Sequence, residues 1–441
     1  MSAAPSPGLR LSNHLAVRMT RHHLHYAWLV AALTFMTMLM MAAALGLPGA
    51  LILPLGKEFG WTTRQISSAL AIRFALYGLL GPFTALMIGR LGARTVMLAG
   101  LLLVGGSMAL ATVMDSLWQL FVLWGLVLGI GSGMTAIVLG AAVANHWFET
   151  QRGLVVGLLT ASAATGQLLF LPLAAALISA HGWRAAVLPV VIGTVVVGLL
   201  VLLLMRNRPQ DLGLQPFGSH PDSAAQANAA NRLTDADQLT WRTPFAVLRQ
   251  AMGVPTFWLL FGTFFICGLS TNGLIQTHFI TLCSDRGMGA VPAAAALAMM
   301  GTFDLIGTIA SGWLSDRYDN RKLLAVYYGL RGLSLFWLPQ SAFSLSGLAL
   351  FNVFYGLDWI ATVPPTVRLT NQHFGPTRAA MVFGWVFAGH QLGSATAAYG
   401  AGWSRSFWLT YTPAIYAAAC ACVLAAGISL LITRAPGGQP A

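Results

Sequence analysis

Twelve apolar runs, each long enough to cross a bilayer as a helix, fill most of this chain and leave few folds open to it. A membrane helix needs about 20 mostly apolar residues. Such runs fall near 27–54, 64–88, 94–114, 117–144, 153–179 and 184–205, then near 255–283, 291–314, 322–341, 345–367, 379–402 and 409–433. Turn signals such as Met114-Asp115-Ser116 and Ala180-His181-Gly182 separate them. The runs lack the period-two alternation of barrel strands, so helices must satisfy their backbone polar groups. Charged residues make up only 8% of the 441, against about 25% in a soluble domain. So few cannot cover a soluble surface of this size, and the expected fold class is an all-α membrane protein with 12 transmembrane helices.

The net charge of +12 raises the question of a nucleic-acid partner, since basic chains often bind polyanions. The positions of the charges answer it. With both termini cytoplasmic, 17 of the 24 Lys and Arg fall in cytoplasmic segments, 5 near external ends and 2 inside runs. That is the positive-inside bias of an even number of spans. The expectation is a multi-pass protein of the cell membrane, surrounded by lipid, with both termini cytoplasmic and no nucleic-acid partner. Cys267, Cys283, Cys420 and Cys422 lie in or at the ends of apolar runs without metal-site spacing. No cofactor and no metal site are expected. The segment before Tyr26, with Arg10, Arg18 and Arg21, lacks the apolar core of a signal peptide. It reads as a solvated tail in which His22, His23 and His25 are incidental.

Five segments follow: an N-terminal tail at 1–26, a six-helix half at 27–205, a cytoplasmic linker at 206–254, a second six-helix half at 255–433 and a C-terminal tail at 434–441. Within the linker, 218–240 lacks apolar periodicity and reads as disordered, while Phe245–Met252 suits a short interfacial helix. The halves repeat at an offset of 226 or 227 residues. Gly89-Arg90-Leu91-Gly92-Ala93-Arg94 matches Asp316-Arg317-Tyr318-Asp319-Asn320-Arg321, and Asn145, Phe148 and Arg152 match Asn371, Phe374 and Arg378. A near-constant offset across separate loops argues duplication into pseudo-symmetric halves. Such repeats place a substrate site between them near the midplane and work by alternating access.

Gly312-Trp313-Leu314-Ser315-Asp316-Arg317 with Arg321-Lys322 resembles the cytoplasmic motif of the major facilitator superfamily. The first half carries Gly89 where the motif has its Asp. Such an Asp can accept bonds from a neighbouring Arg or helix N-terminus and latch one state shut. The resemblance therefore implies a gating role for Arg90, Arg94, Asp316, Arg317 and Arg321, with the intact latch around Asp316. Tyr77-Gly78-Leu79-Leu80-Gly81-Pro82 and Trp147-Phe148-Glu149-Thr150-Gln151-Arg152-Gly153 resemble signatures of the monocarboxylate transporters and their bacterial organic-acid relatives. Gln151 replaces an Arg of that pattern. Two cations used by relatives that carry lactate-like acids are also missing: Pro48 is followed by Gly49 rather than Lys, and Thr308 rather than Arg stands four residues after Asp304.

Ionisable residues inside spans are costly and mark function by default. Arg73, Asp304, Arg331, Asp358 and His390 fall inside the runs. At about 1.5 Å per residue, all five occupy one layer between the middle and the inner half of the bilayer. Arg331 suits a structural pair with Asp358 or Asp304. Arg73 suits either a structural role or the binding of an anionic substrate, and Asp304, Asp358 and His390 suit proton coupling. Span seven carries Ser270-Thr271-Asn272-Gly273 with Gln276, and span one Gly46-Leu47-Pro48-Gly49. Paired helix interruptions at matching places point to a binding site. The expected substrate-binding residues are thus Arg73, Asn272, Gln276 and His390.

No Walker loop, His-x-x-x-His pair or nucleophile elbow occurs, so neither ATP-driven transport within this chain nor familiar intramembrane catalysis is expected. The expected function is secondary transport of a small organic acid with a proton as coupling ion, by symport or exchange, for which a monomer suffices. An exporter of amphipathic compounds is the alternative, and a transporter-derived sensor a more distant one.

Overall fold

The structure, a computed structural model, describes residues 7–21, 24–135, 137–219 and 240–433. Most of the disorder expected over 218–240 falls outside the described residues, as do His22, His23 and the tail 434–441. Among the described residues the chain is helical throughout, without a β-strand. The helices are α1 (Pro7–Arg21), α2 (Tyr26–Phe59), α3 (Thr63–Leu91), α4 (Ala93–Ala111), α5 (Leu117–Trp147), α6 (Arg152–His181) and α7 (Trp183–Leu204). After the linker come α8 (Thr243–Met252), α9 (Pro255–Asp285), α10 (Ala290–Arg317), α11 (Asn320–Trp337), α12 (Ala349–Asp358), α13 (Val363–Phe374), α14 (Pro376–Trp408) and α15 (Thr412–Leu431).

Among the described residues, nine of these helices are long and apolar enough to cross a membrane. The apolar runs nine, ten and eleven also meet helices, but polar content takes runs nine and eleven below the mark, and a break leaves run ten as two short helices. Arg321, Lys322 and Arg331 lie within the 18 residues of α11, α12 and α13 are 10 and 12 residues long, and α14 includes His390, Gln391 and Ser394.

Four expectations about local structure need correction. The Gly46-Leu47-Pro48-Gly49 interruption does not form: α2 runs unbroken through Pro48 and Pro54. Pro48 removes one amide donor, the partner of Ala44 O, and a membrane helix tolerates such a loss; one residue on, Leu45 O accepts from Arg73 Nη1 at 3.1 Å. In α9 the Asn272-Gly273 weakness widens the helix into a π-helical stretch, Leu269–Gln276, rather than breaking it. The helix that does break is run ten, between α12 and α13. Part of the expected tail is also the ordered helix α1, with Ser12 and Ala16 buried.

Two hydrophobic cores form. One draws its buried side chains from between Ala16 and Met205; the other is built mainly from Ala251 to Ile432. Across the boundary α3 packs along α14, α6 against α10, and α2 against the Thr277–Asp285 part of α9. The α3–α14 seam holds from end to end. Near Thr63, Arg405 Nη1 donates to Thr63 Oγ1 at 2.6 Å and Arg64 N to Ser406 Oγ at 3.1 Å. At the other end the rings of Phe83 and Trp385 lie 6.1 Å apart. Helix α8 lies across that end: Phe245 contacts both rings, and Trp385 Nε1 donates to Pro244 O at 2.9 Å.

Candidate functional site

The break in run ten organises most of the buried charge. Breaking a helix leaves amides and carbonyls that must find partners when buried. Arg331, fully buried on α11, donates from Nη2 to the carbonyls of Asp358 and Trp359. Its Nε reaches Asp358 Oδ2 at 2.6 Å, and Nη1 reaches Cys267 Sγ at 3.0 Å. On the opposite side Asp304 Oδ1 accepts from the Ile360 amide at 2.9 Å and from Thr308 Oγ1 at 3.1 Å, while Ser311 Oγ donates to Ala361 O. Helices α10 and α12 approach closely enough for this only because residue 307 is glycine: a methyl group there would lie 1.8 Å from Leu357 O. Arg331, Asp358 and Asp304 thus form one network around broken backbone. Its ion pair belongs to the class in which losing one partner costs about 3–5 kcal/mol.

Arg73 stands apart from that network. It is 1% exposed on α3, and among the described residues no carboxylate lies within 4.0 Å of it. Besides the bond to Leu45 O, its guanidinium lies 4.5 Å from the Phe74 ring centroid, and Nε has no partner among the described residues. Burying a cation without a counter-charge is expensive.

His390 lies on α14 where that helix presses into α9. A methyl group on Gly268 would fall 1.7 Å from His390 O, so only glycine allows the approach. The imidazole is 8% exposed, with its centroid 4.9 Å from that of Phe264 and 5.8 Å from that of Phe387. Nδ1 has no partner among the described residues. Asn272 and Gln276 lie on the π-helical stretch of α9, where Gln276 O closely faces Gly49 of α2 and Asn272 O accepts from Thr277 Oγ1 at 2.7 Å. The structure therefore unites Arg331, Asp358 and Asp304, sets His390, Asn272 and Gln276 along α9 and α14, and leaves Arg73 in the first half.

At the helix ends, Asp316 of α10 pairs with Arg368 of α13. Arg317 lies 4.1 Å over the Trp313 ring, and Arg321 binds Asp319 and donates to Ile432 O at 3.0 Å. The matching positions of the first half are Gly89 and Ala142, so both members of the pair are absent together. There Arg90 lies 5.5 Å over the Trp241 ring, and Arg94 donates to Leu202 O. The opposite ends carry Arg405, bound through Nε and Nη2 to Asp285 at 2.7 and 2.8 Å. That bond raises the Arg405 pKa above its ordinary value and outweighs partial burial, which acts the other way. Sequence reasoning missed Arg368 and Arg405 because a single charge near a run's end looks like an orientation signal. For Arg368, the duplicated offset from Ala142 was the usable clue.

The model of the Major Facilitator Superfamily matches residues 30–398. The chain belongs to that superfamily. It is a transporter, as the relatives named next are, and not an enzyme. It is 25% identical over 413 residues to monocarboxylate transporter 13 of Rattus norvegicus, covering 92% of this chain and 89% of the relative. To the 4-hydroxybenzoate transporter PcaK of Pseudomonas putida it is 26% identical over 355 residues, 75% of this chain and 76% of the relative. The crystal structure of a POT family transporter in complex with 5-aminolevulinic acid shares the fold at TM-score 0.69 and 14% identity, covering 91% of this chain and 95% of that one.

Proposed function

We propose that this transporter moves a small organic anion, of the monocarboxylate class, by alternating access between two six-helix halves, coupled to protons by symport or exchange. Arg73 is the observation that carries this reading. A guanidinium buried without a carboxylate offers a fixed charge and planar two-pronged geometry to a carboxylate substrate. The relatives support it, since one is a monocarboxylate transporter and another carries 4-hydroxybenzoate. Arg331 is no rival anion site, because Asp358 and two backbone carbonyls occupy it.

Twelve spans with both termini cytoplasmic in the cell membrane complete the reading, with α11, α12–α13 and α14 as the three polar spans and the linker between two halves. The two cores support the division. So do the crossing pairs α3–α14 and α10–α6, which exchange with one another when the repeated halves are swapped. The Asp316–Arg368 pair is the cytoplasmic latch. His390, whose Nδ1 has no partner among the described residues, is assigned the coupling proton, while Asp304 and Asp358 hold the break in run ten.

Uptake of labelled organic acids into proteoliposomes, with and without an inwardly directed proton gradient (acid outside), tests this. Saturable anion uptake that rises with the gradient and is lost in Arg73→Gln is expected. Equal uptake by wild type and Arg73→Gln sinks the assignment.

A further inference from the structure

The surroundings of Arg73 say more about its ligand than the charge alone, if the anion reading holds. Tyr77 follows Arg73 by four residues and therefore shares its face of α3. One helical turn separates them, about 5.4 Å, a span that a carboxylate joined directly to a six-membered ring can bridge. The Tyr77 ring meets Phe387 of α14 edge to face, centroids 5.5 Å apart at 86°. Phe387 in turn lies parallel to His390, and His390 lies against Phe264 of α9. A file of rings thus begins one turn from the buried guanidinium and crosses from the first half to the second.

Tyr77 and Phe387 sit on the α3–α14 seam, which must part for a substrate to enter between the halves. Parting separates the two rings and forfeits their contact. An aromatic ligand seated between them replaces each lost partner; an aliphatic ligand of the same size fills the space without restoring the quadrupole interactions. We propose that the site selects aromatic monocarboxylates, with the carboxylate on Arg73 and the ring between Tyr77 and Phe387.

Equilibrium binding to the purified full-length protein, with benzoate, cyclohexanecarboxylate and propionate as probes, tests this. Benzoate is expected to bind about 5- to 160-fold more tightly than cyclohexanecarboxylate, the contribution of two aromatic contacts. Phe387→Leu should shrink the preference to about 2- to 12-fold, what the Tyr77 contact alone supplies, and Phe387→Tyr should keep it in full. Equal binding of benzoate and cyclohexanecarboxylate by the wild type overturns the aromatic inference, as does an unchanged ratio in Phe387→Leu. Should Arg73→Gln still abolish binding of whichever acid binds, the anion site survives that outcome. If Arg73→Gln binds every probe as the wild type does, the anion reading itself fails.

Discussion

Two arginines, each almost wholly removed from solvent, are treated in opposite ways. Arg331 is surrounded: a carboxylate, a thiol and two carbonyls take its donors, and its position fixes a break in the helix beside it. Arg73 has one carbonyl, one ring and an idle Nε. Burial alone therefore does not mark a functional charge in a membrane; the partners do. A satisfied charge holds the fold together, and an unsatisfied one is maintained for something that arrives later.

The largest effect should come from unpairing the satisfied arginine. Asp358→Ala leaves Arg331 buried without its carboxylate and should lower stability by about 3–5 kcal/mol, read as a large fall in the unfolding midpoint of purified protein. Arg73→Gln should leave that midpoint within a degree or two of wild type, or raise it. Similar losses from both substitutions break the contrast.

A smaller loss is expected at the other side of the break. Asp304→Ala strands the Ile360 amide and should cost about 1–3 kcal/mol, with Asp304→Asn milder because its side-chain oxygen can still accept. If Asp304→Ala is as stable as wild type, the break does not depend on that cap.

The smallest change belongs to the surface latch. The side chains of Asp316 and Arg368 are 67% and 42% exposed, so Asp316→Asn should cost under about 1 kcal/mol of stability. Its mark should instead be a changed transport rate with little change in substrate affinity, measured as initial uptake against concentration. A large stability loss would make the pair a structural element rather than a latch.

Much of this was legible in the sequence, because hydrophobic runs and loop charges act locally. The α-helices meet the expected apolar runs, and the short linker helix at Thr243–Met252 falls where Phe245–Met252 suggested it. The errors share one cause: local signals were read without their partners. Pro48-Gly49 looks like an interruption, whereas Gly49 is where α2 packs against the Gln276 and Thr277 carbonyls of α9, a contact that no local signal reveals. Run ten looked continuous although Pro364-Pro365 follows its break, because what makes the break tolerable is Arg331 and Asp304 on two other helices. For Arg331 the sequence offers a structural pair with Asp358 or Asp304, and the fold pairs it with Asp358. Charge balance could not choose between Asp304 and Asp358, whereas the fold hands Asp304 to a backbone amide.

The most direct test of the account is equilibrium binding of a labelled organic acid to purified wild type, Arg73→Gln and Arg73→Lys, each shown to be folded by its unfolding midpoint. The account predicts saturable binding by wild type, at least about tenfold weaker binding by Arg73→Lys, which keeps the charge without the fork, and none by Arg73→Gln. Undiminished binding by a folded Arg73→Gln would contradict it.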